Sequence, residues 1–448
     1  MEIKNQKIVI APGVFFNAIG DEIYLRNVDT KCEYILNSVA GDVFSILRNA
    51  MTFDDLMQKL SDVYNITDFN QFSDDIKVFV SKQIDCENIL LADVELRSFK
   101  GLNLIDHVQE KCTKLKRLWN ATFELTYRCN EKCIHCYLDD PGEIVSRPEL
   151  SFIDYKNLID QLADLGCMNV LVTGGEPTLH KDFLPICGYI VERGMLLDIF
   201  TNALTIKPEI FDALCGLNVN SVSFSLYGAT PEFHDSITQI KGSFEKSFHN
   251  ILLFKSAGFD VYVKTVLFKN HFGEYLGLRK LFDKFGIAVA PSTIITPGHS
   301  GKKLSDMMLD EESFRELFRL EKEDRINKQR MGLPQKENLF REMNDPICSA
   351  GNTQLSFNPF GDVFPCNAFQ LKLGNVKEDS IKNIWEQSKE LKMVRNISFG
   401  DLSPECKTCK YSGVCNVCLG AAYAEHNGKV KPCSYTCNYA KMRYEEAF

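Results

Sequence analysis

Apolar residues recur along this chain with three rhythms, and each marks a region. In about residues 1–95, short apolar runs at Lys7–Ile10, Val14–Asn17, Glu22–Leu25 and Tyr34–Leu36 are broken by Pro12-Gly13 and Gly20-Asp21, the pattern of small strands and turns. The period then lengthens. Val39, Val43, Phe44, Ile46 and Leu47 share one helical face. Thr52, with Asp55 three residues on, reads as the cap of a helix over Phe53–Tyr64. Asp68 opens a third helix that buries Phe72, Ile76, Phe79 and Val80. Strands followed by three helices predict a winged-helix-like module at 1–95. The mixed, charged stretch 96–118 reads as a linker with some helix.

From about 119 to 310 the chain alternates strand and helix patterns. Strands are expected at Thr122–Thr126, Asn169–Thr173, Leu196–Thr201, Ser221–Leu226, Val261–Leu267 and Ala288–Ile295. Helices are expected between them, among them Asp154–Leu165 and Phe244–Ala257, with Gly166 and Gly258 at C-terminal caps. Six βα units predict an α/β fold with parallel strands and right-handed crossovers, its active residues at the C-terminal strand ends. A polar helical stretch, 311–345, bridges to a third region, 346–448, rich in cysteine and turn residues.

At 448 residues the chain is too long for one core. No apolar run reaches bilayer length, and the start, MEIKNQKIVIAPGVFF, lacks a secretory pattern, so a cytoplasmic protein without membrane association is expected. Seventeen cysteines then argue for metal or redox centres rather than disulfides. Eleven fall in two clusters; Cys32, Cys86, Cys112, Cys167, Cys187 and Cys215 are scattered among apolar neighbours and read as small core residues. Net charge is −9, and residues 1–95, with 8 Lys+Arg against 16 Asp+Glu, carry −8 of it. An acidic module of this kind is a poor partner for nucleic acid.

The first cluster is Cys129-Asn130-Glu131-Lys132-Cys133-Ile134-His135-Cys136, spaced CxxxCxxC. Zinc with His135 as a fourth ligand is one reading. The other is a [4Fe–4S] cube held at three corners with one iron left open. The spacing resembles the signature loop of the radical S-adenosylmethionine (SAM) enzymes, whose open iron chelates SAM and reduces it to methionine and a 5′-deoxyadenosyl radical. The resemblance implies a partial (β/α)6 barrel, with Cys129, Cys133 and Cys136 as catalytic cluster ligands. It also implies that Gly174, Gly175 and Glu176, in Thr173-Gly174-Gly175-Glu176-Pro177, hold the SAM amino group. Asn202, Ser223, Ser225 and Lys264 match further SAM contacts, Lys264 toward the carboxylate. His135 and Tyr137 flank the third cysteine, His135 near the adenine.

The second cluster runs Cys348-x12-Gly361-x4-Cys366, then Cys406-x2-Cys409-x5-Cys415-x2-Cys418, then Cys433 and Cys437. It resembles the SPASM extension of radical SAM enzymes, which binds two auxiliary [4Fe–4S] clusters. Carried over by position, Cys348, Cys366 and Cys418 hold the first, and Cys406, Cys409, Cys415 and Cys433 the second, so that three clusters accompany SAM. One spacing is shorter than usual and an upstream cysteine is absent. The expectation is therefore a first auxiliary cluster with three protein ligands and an open iron for a substrate thiolate, with Cys437 a spectator or a fourth ligand.

The N-terminal pattern resembles the PqqD-like recognition element of enzymes that mature ribosomally made peptides, in which a leader peptide adds to the small sheet. Ala121–Thr126 before the cysteine loop looks like that of the subtilosin-type thioether synthases. Together these resemblances imply a peptide maturase that joins a cysteine sulfur to carbon, fed by a flavodoxin- or ferredoxin-type reductant. A carbon–carbon crosslink, an oxidative decarboxylation, a sulfatase-type maturase and a non-catalytic iron–sulfur or zinc protein are the alternatives.

Overall fold

The computed structural model describes residues 10, 13–28, 30–47, 51–64, 66, 68–85, 104–138, 147–296, 298, 305–330, 346–433 and 435–447. The Lys7–Ile10 strand apart from Ile10, Cys86 and the 331–345 part of the bridging stretch lie outside them. The chain divides into two compact units, Met1–Leu115 and Lys116–Phe448.

The first unit opens with an antiparallel meander of β1 (Val14–Ile19), β2 (Glu22–Asn27) and β3 (Cys32–Leu36). The strands run longer than their apolar alternation suggested, because Arg26 and Glu33 stay in register on one face and form an ion pair there. Phe16, Leu25 and Leu36 alternate onto the other face and pack with Val43, Phe44, Leu56, Leu60 and Phe79 from helices Ser38–Ile46, Phe53–Val63 and Phe69–Asp85. The expected capping box is present: Asp55 N donates to Thr52 Oγ1 at 3.2 Å and Thr52 N to Asp55 at 3.3 Å. A further helix, Leu104–Lys114, buries Val108 and Cys112 and pairs Lys111 with Asp21 and Glu22. That helix, read from sequence as linker, therefore belongs to the first unit.

The second unit is built on a parallel sheet whose strands follow in chain order: β4 (Asn120–Glu124), β5 (Asn169–Thr173), β6 (Leu196–Thr201), β7 (Ser221–Ser225), β8 (Val261–Val266) and β9 (Ala288–Ser292). Ala121, Phe123, Val170, Val172, Ile199, Val222, Phe224 and Val263 share one core with the covering helices. The alternate residues face the inner side. This is the expected partial (β/α)6 barrel, an open sheet that ends at β9. Pro291 is tolerated in β9 because that strand ends the ladder and its N–H is not needed. The helix expected from Asp154 begins two residues earlier, at Phe152, because Ser151 and Asp154 form a capping box. Gly166 and Gly258 adopt φ of +74° and +93° after their helices, as the cap reading requires.

The cysteine-rich region extends the same sheet. β10 (Gln354–Phe357) pairs in parallel with β4, and β11 (Asp362–Phe364) and β12 (Gly374–Asn375) follow antiparallel. No helix among the described residues is long and apolar enough to cross a membrane.

Candidate active site and cluster-binding thiols

β4 delivers the chain into the three-cysteine loop. Past the strand, Thr126–Arg128 runs along the end of β5, where Gly175 N donates to Thr126 O at 2.7 Å and Glu176 N to Arg128 O at 2.9 Å. Only glycine permits this approach. A Cβ on Gly174 would lie 2.4 Å from Thr126 O, and one on Gly175 2.4 Å from Arg128 O; Gly174 also sits at φ +141°. The glycine pair thus admits the backbone that carries Cys129.

Glu176 has a similar internal task. It is buried and accepts from Thr178 Oγ1 at 2.6 Å, Thr201 Oγ1 at 2.8 Å and Asn202 N at 2.9 Å. Burial raises its pKa against the lowering effect of these donors. It therefore ties the ends of β5 and β6 together. Asn202, just past β6, passes the constraint on: its Nδ2 donates to Asn130 Oδ1 at 2.7 Å and lies 3.7 Å from Cys129 Sγ. On the other side, Lys132 N and Ile134 N donate to Thr238 O and Ile237 O, both at 3.0 Å, so the helix Pro231–Thr238 holds the loop as well.

His135 lies edge-on to Tyr227 and Phe268, with ring centroids 4.7 and 5.3 Å away. Burial lowers its pKa to about 4, so the imidazole is neutral near pH 7, and its Nδ1 is buried without a partner. Tyr137 turns inward and donates to Glu124 Oε1 at 2.5 Å, while Tyr127 donates to Oε2 at 3.1 Å. Burial pushes Glu124 up to about 7 despite those two donors. Sequence reasoning gave Glu124 and Tyr127 no role. The available signal was an acid at an inward position of the strand feeding the cysteine loop. Ser223 and Ser225 alternate with the core residues Val222 and Phe224 and so face the inner side, and Ser225 is level with Lys264 on β8. Burial lowers the Lys264 pKa, and its ammonium lies 5.6 Å from the Phe200 ring centroid.

The loop thiols suit an iron–sulfur cluster. Burial, with neighbouring charges including the Cys136 thiolate, pushes Cys129 up to about 12 and raises Cys133 further still. Thiols so placed ionise only against a strong positive charge such as bound iron supplies. Glu131 N lies 3.4 Å from Cys129 Sγ, an amide donor of the kind that tunes cluster sulfurs. Among the described residues no three His, Cys, Asp or Glu side chains are placed to hold a single metal ion.

Thiols of the second cluster gather around two centres. Cys366 follows β11, and Cys418 caps the helix Leu419–Glu425, accepting from Ala421 N at 3.4 Å. Gly420 brings these two together, because a Cβ there would lie 2.2 Å from Ala368 O. After burial, the charges of Cys418 and Cys348 are what push Cys366 up to about 12. The second centre is a pocket whose walls include Cys406, Cys409, Cys415 and Cys437.

Residues 123–278 match the model of the radical SAM superfamily, and residues 348–410 that of the SPASM iron–sulfur cluster-binding domain. The chain is 26% identical over 321 residues to an AdoMet-dependent heme synthase of Methanosarcina barkeri, covering 67% of this chain and 91% of that protein. It is 28% identical over 306 residues to the antilisterial bacteriocin subtilosin biosynthesis protein AlbA of Bacillus subtilis, covering 67% and 66% respectively. In fold it resembles the crystal structure of Streptococcus suis SuiB bound to precursor peptide SuiA, with a TM-score of 0.62 at 16% identity over 96% of this chain and 99% of that one. A cysteine loop at the first strand of a parallel barrel, a second set of thiols beyond the same sheet and these two domain matches agree: the chain is an enzyme with a radical SAM fold and a C-terminal SPASM domain, and its cofactors are S-adenosylmethionine and [4Fe–4S] clusters.

Proposed function

We propose that this enzyme matures a ribosomally made precursor peptide by joining a cysteine sulfur to a carbon of the same peptide. The observation that carries the reading is the first unit. It has its own core and a three-stranded sheet whose outer strand β3 pairs only with β2 among the described residues. The outer strands of small sheets are where extended peptides add by strand pairing. The fold likeness to SuiB, a protein crystallised with a precursor peptide, extends over both units, and relatives of the barrel include the subtilosin biosynthesis protein AlbA.

In the second unit, bound SAM and its cluster supply a 5′-deoxyadenosyl radical. The chain's own part is to hold Cys129, Cys133 and Cys136 as thiolates and to fix their loop through Gly174, Gly175, Glu176 and Asn202. Ser223, Ser225 and Lys264 give the inner side hydroxyls and a cation suited to SAM, and His135 a neutral aromatic surface suited to its adenine. Forming the thioether takes one hydrogen atom from carbon, one proton from the thiol and one electron from the peptide. The hydrogen atom ends in 5′-deoxyadenosine, a flavodoxin- or ferredoxin-type reductant supplies the electron that SAM cleavage consumes, and auxiliary clusters held by the second set of thiols would take up the electron that the peptide gives.

The test uses the precursor encoded in a neighbouring reading frame, with anaerobically reconstituted enzyme, dithionite and SAM. The expected product has lost two hydrogens, forms only when the acceptor cysteine is present, and forms more slowly when the leader is removed. Unchanged two-hydrogen loss from a Cys→Ser precursor would reject the thioether. Equal turnover of a leaderless core would reject recognition by the first unit.

A further inference from the structure

Glu124, the last residue of β4, is 1% exposed, and both donors to its carboxyl are phenols on the flanks of the cysteine loop. Tyr127 stands two residues before Cys129, and Tyr137 one residue after Cys136. Tyr127 donates to Oε2 and Tyr137 to Oε1, so the two phenols are held at the spacing of one carboxyl group. The segment between them carries all three loop thiols. The other grips on this segment lie elsewhere: Gly175 and Glu176 hold Thr126 and Arg128, and the end of the helix Pro231–Thr238 holds Lys132 and Ile134. The Tyr137 bond acts past Cys136, at the far end of the loop.

The cysteine-rich region backs the same arrangement. Phe357 on β10 is level with Phe123, so Asn358 follows it as Glu124 follows Phe123. The Asn358 side chain reaches the Tyr127 hydroxyl, and that of Asn367, next to Cys366, reaches the Tyr137 hydroxyl. The Tyr127 ring also lies edge-on to Phe360, with centroids 5.6 Å apart. Each phenol is thus fixed from two sides. Stability does not account for an acid at this position. Burying a carboxyl is costly, and apolar residues of similar volume commonly pack such a site as well or better. What a buried hydrogen-bonded network adds is a single arrangement of the groups it joins.

We propose that Glu124 is a positioning residue for SAM cleavage: by receiving the phenols on both flanks of the cysteine loop, it fixes Cys129 and Cys136 relative to each other and to the inner side of β4. Removing either phenol or the carboxyl releases the same constraint, so the three act as one unit. The assignment rests on the cofactors and not on the thioether reading, and SAM cleavage tests it without any peptide.

The test uses full-length, anaerobically reconstituted enzyme with dithionite. The variants are Tyr137→Phe, Glu124→Gln, the two combined, and an apolar set that joins Glu124→Leu to Tyr127→Phe and Tyr137→Phe. Iron content, a melting curve, kcat and KM for SAM in 5′-deoxyadenosine release, and the part of the reduced EPR spectrum that moves on adding SAM are read on each. Tyr137→Phe and Glu124→Gln are each expected to keep iron, to lower kcat about 10–100-fold with a smaller change in KM, and to shift the SAM-dependent EPR signal. The pair is expected to be no slower than the slower single. The apolar set is expected to melt at or above the parent and to stay slow, which a role in stability alone would not produce. Parent kcat and parent EPR signal in the apolar set would overturn the assignment, as would losses that multiply in the pair. If the apolar set takes up no iron, Tyr137→Phe decides alone: it removes one hydroxyl, and a parent rate with a parent signal overturns the assignment.

Discussion

Replacing Gly175 by alanine isolates the step by which the barrel positions its cysteine loop. The added Cβ would lie 2.4 Å from Arg128 O and 2.8 Å from both Arg128 C and Tyr127 O, all backbone atoms. Ordinary contact begins at 3.4 Å, so one strand end must retreat by 3.4 − 2.4 = 1.0 Å. The segment that moves is bonded to Gly175 and Glu176 and leads directly to Cys129. Overpacking of this kind costs about 1–3 kcal/mol. A shift of about 1 Å in a reacting group lowers turnover about 100-fold. The assay is 5′-deoxyadenosine release after anaerobic reconstitution, with iron content and a melting curve on the same sample. Gly188→Ala is the control: in the helix Phe183–Glu192 a Cβ at Gly188 meets nothing within 4 Å. That variant is expected to gain about 0.5–1 kcal/mol and to cleave SAM normally. If Gly175→Ala holds full iron and releases 5′-deoxyadenosine at the parent rate, the close approach does not position the loop.

Glu176→Gln turns an amide N–H₂ toward Thr178, Thr201 and the Asn202 N–H, all donors to Glu176 in the parent. It should cost about 1–3 kcal/mol in a denaturant titration and loosen the Cys129 loop; an unchanged midpoint contradicts this. His234 is fully buried, accepts from Tyr227 N through Nδ1 at 3.1 Å, and burial holds its pKa down to about 4. The unfolded chain therefore protonates first, so stability is complete above about pH 6.5 and falls toward pH 4. His234→Asn keeps an acceptor and should flatten the variant's own stability curve across that window, so that the difference between parent and variant changes as pH falls, read from urea midpoints; parallel parent and variant curves refute it. Burial raises Asp362, but bonds from Arg147, Lys372, Asn375 and Asn358 outweigh that and hold its carboxyl well below the usual range. Asp362→Asn should cost about 1–2 kcal/mol at neutral pH, discounted because Arg147 and Lys372 are half exposed, and the cost should shrink as pH falls through and below the carboxylate range. A pH-independent difference would exclude the ion pairs as its source.

The order and type of the barrel strands were legible because fully buried parallel strands carry dense apolar runs between capped helices. Their ends were less so: β4 leaves the ladder at Glu124, not Thr126, since the chain there pairs with the glycine turn instead of a strand. The cysteine loop was legible from spacing alone. What glycine and carboxylate do in Gly174–Glu176 was not, because their partners, Thr126, Arg128, Thr201 and Asn202, are brought in by other strands. Glu124 escaped notice for the same reason, its two tyrosine donors lying on the loop that follows. Cys433 and Cys437 are four residues apart and indistinguishable by pattern; a helix start between them sends one into a buried cluster and the other to a pocket wall.

The central claim is that three thiolates leave an iron corner on which SAM reacts. The direct measurement compares 5′-deoxyadenosine formation by the reconstituted parent and by the Cys129→Ala, Cys133→Ala, Cys136→Ala variant at equal protein and dithionite. The account predicts that the variant keeps auxiliary iron but releases no 5′-deoxyadenosine above the protein-free background. Release at the parent rate would contradict it.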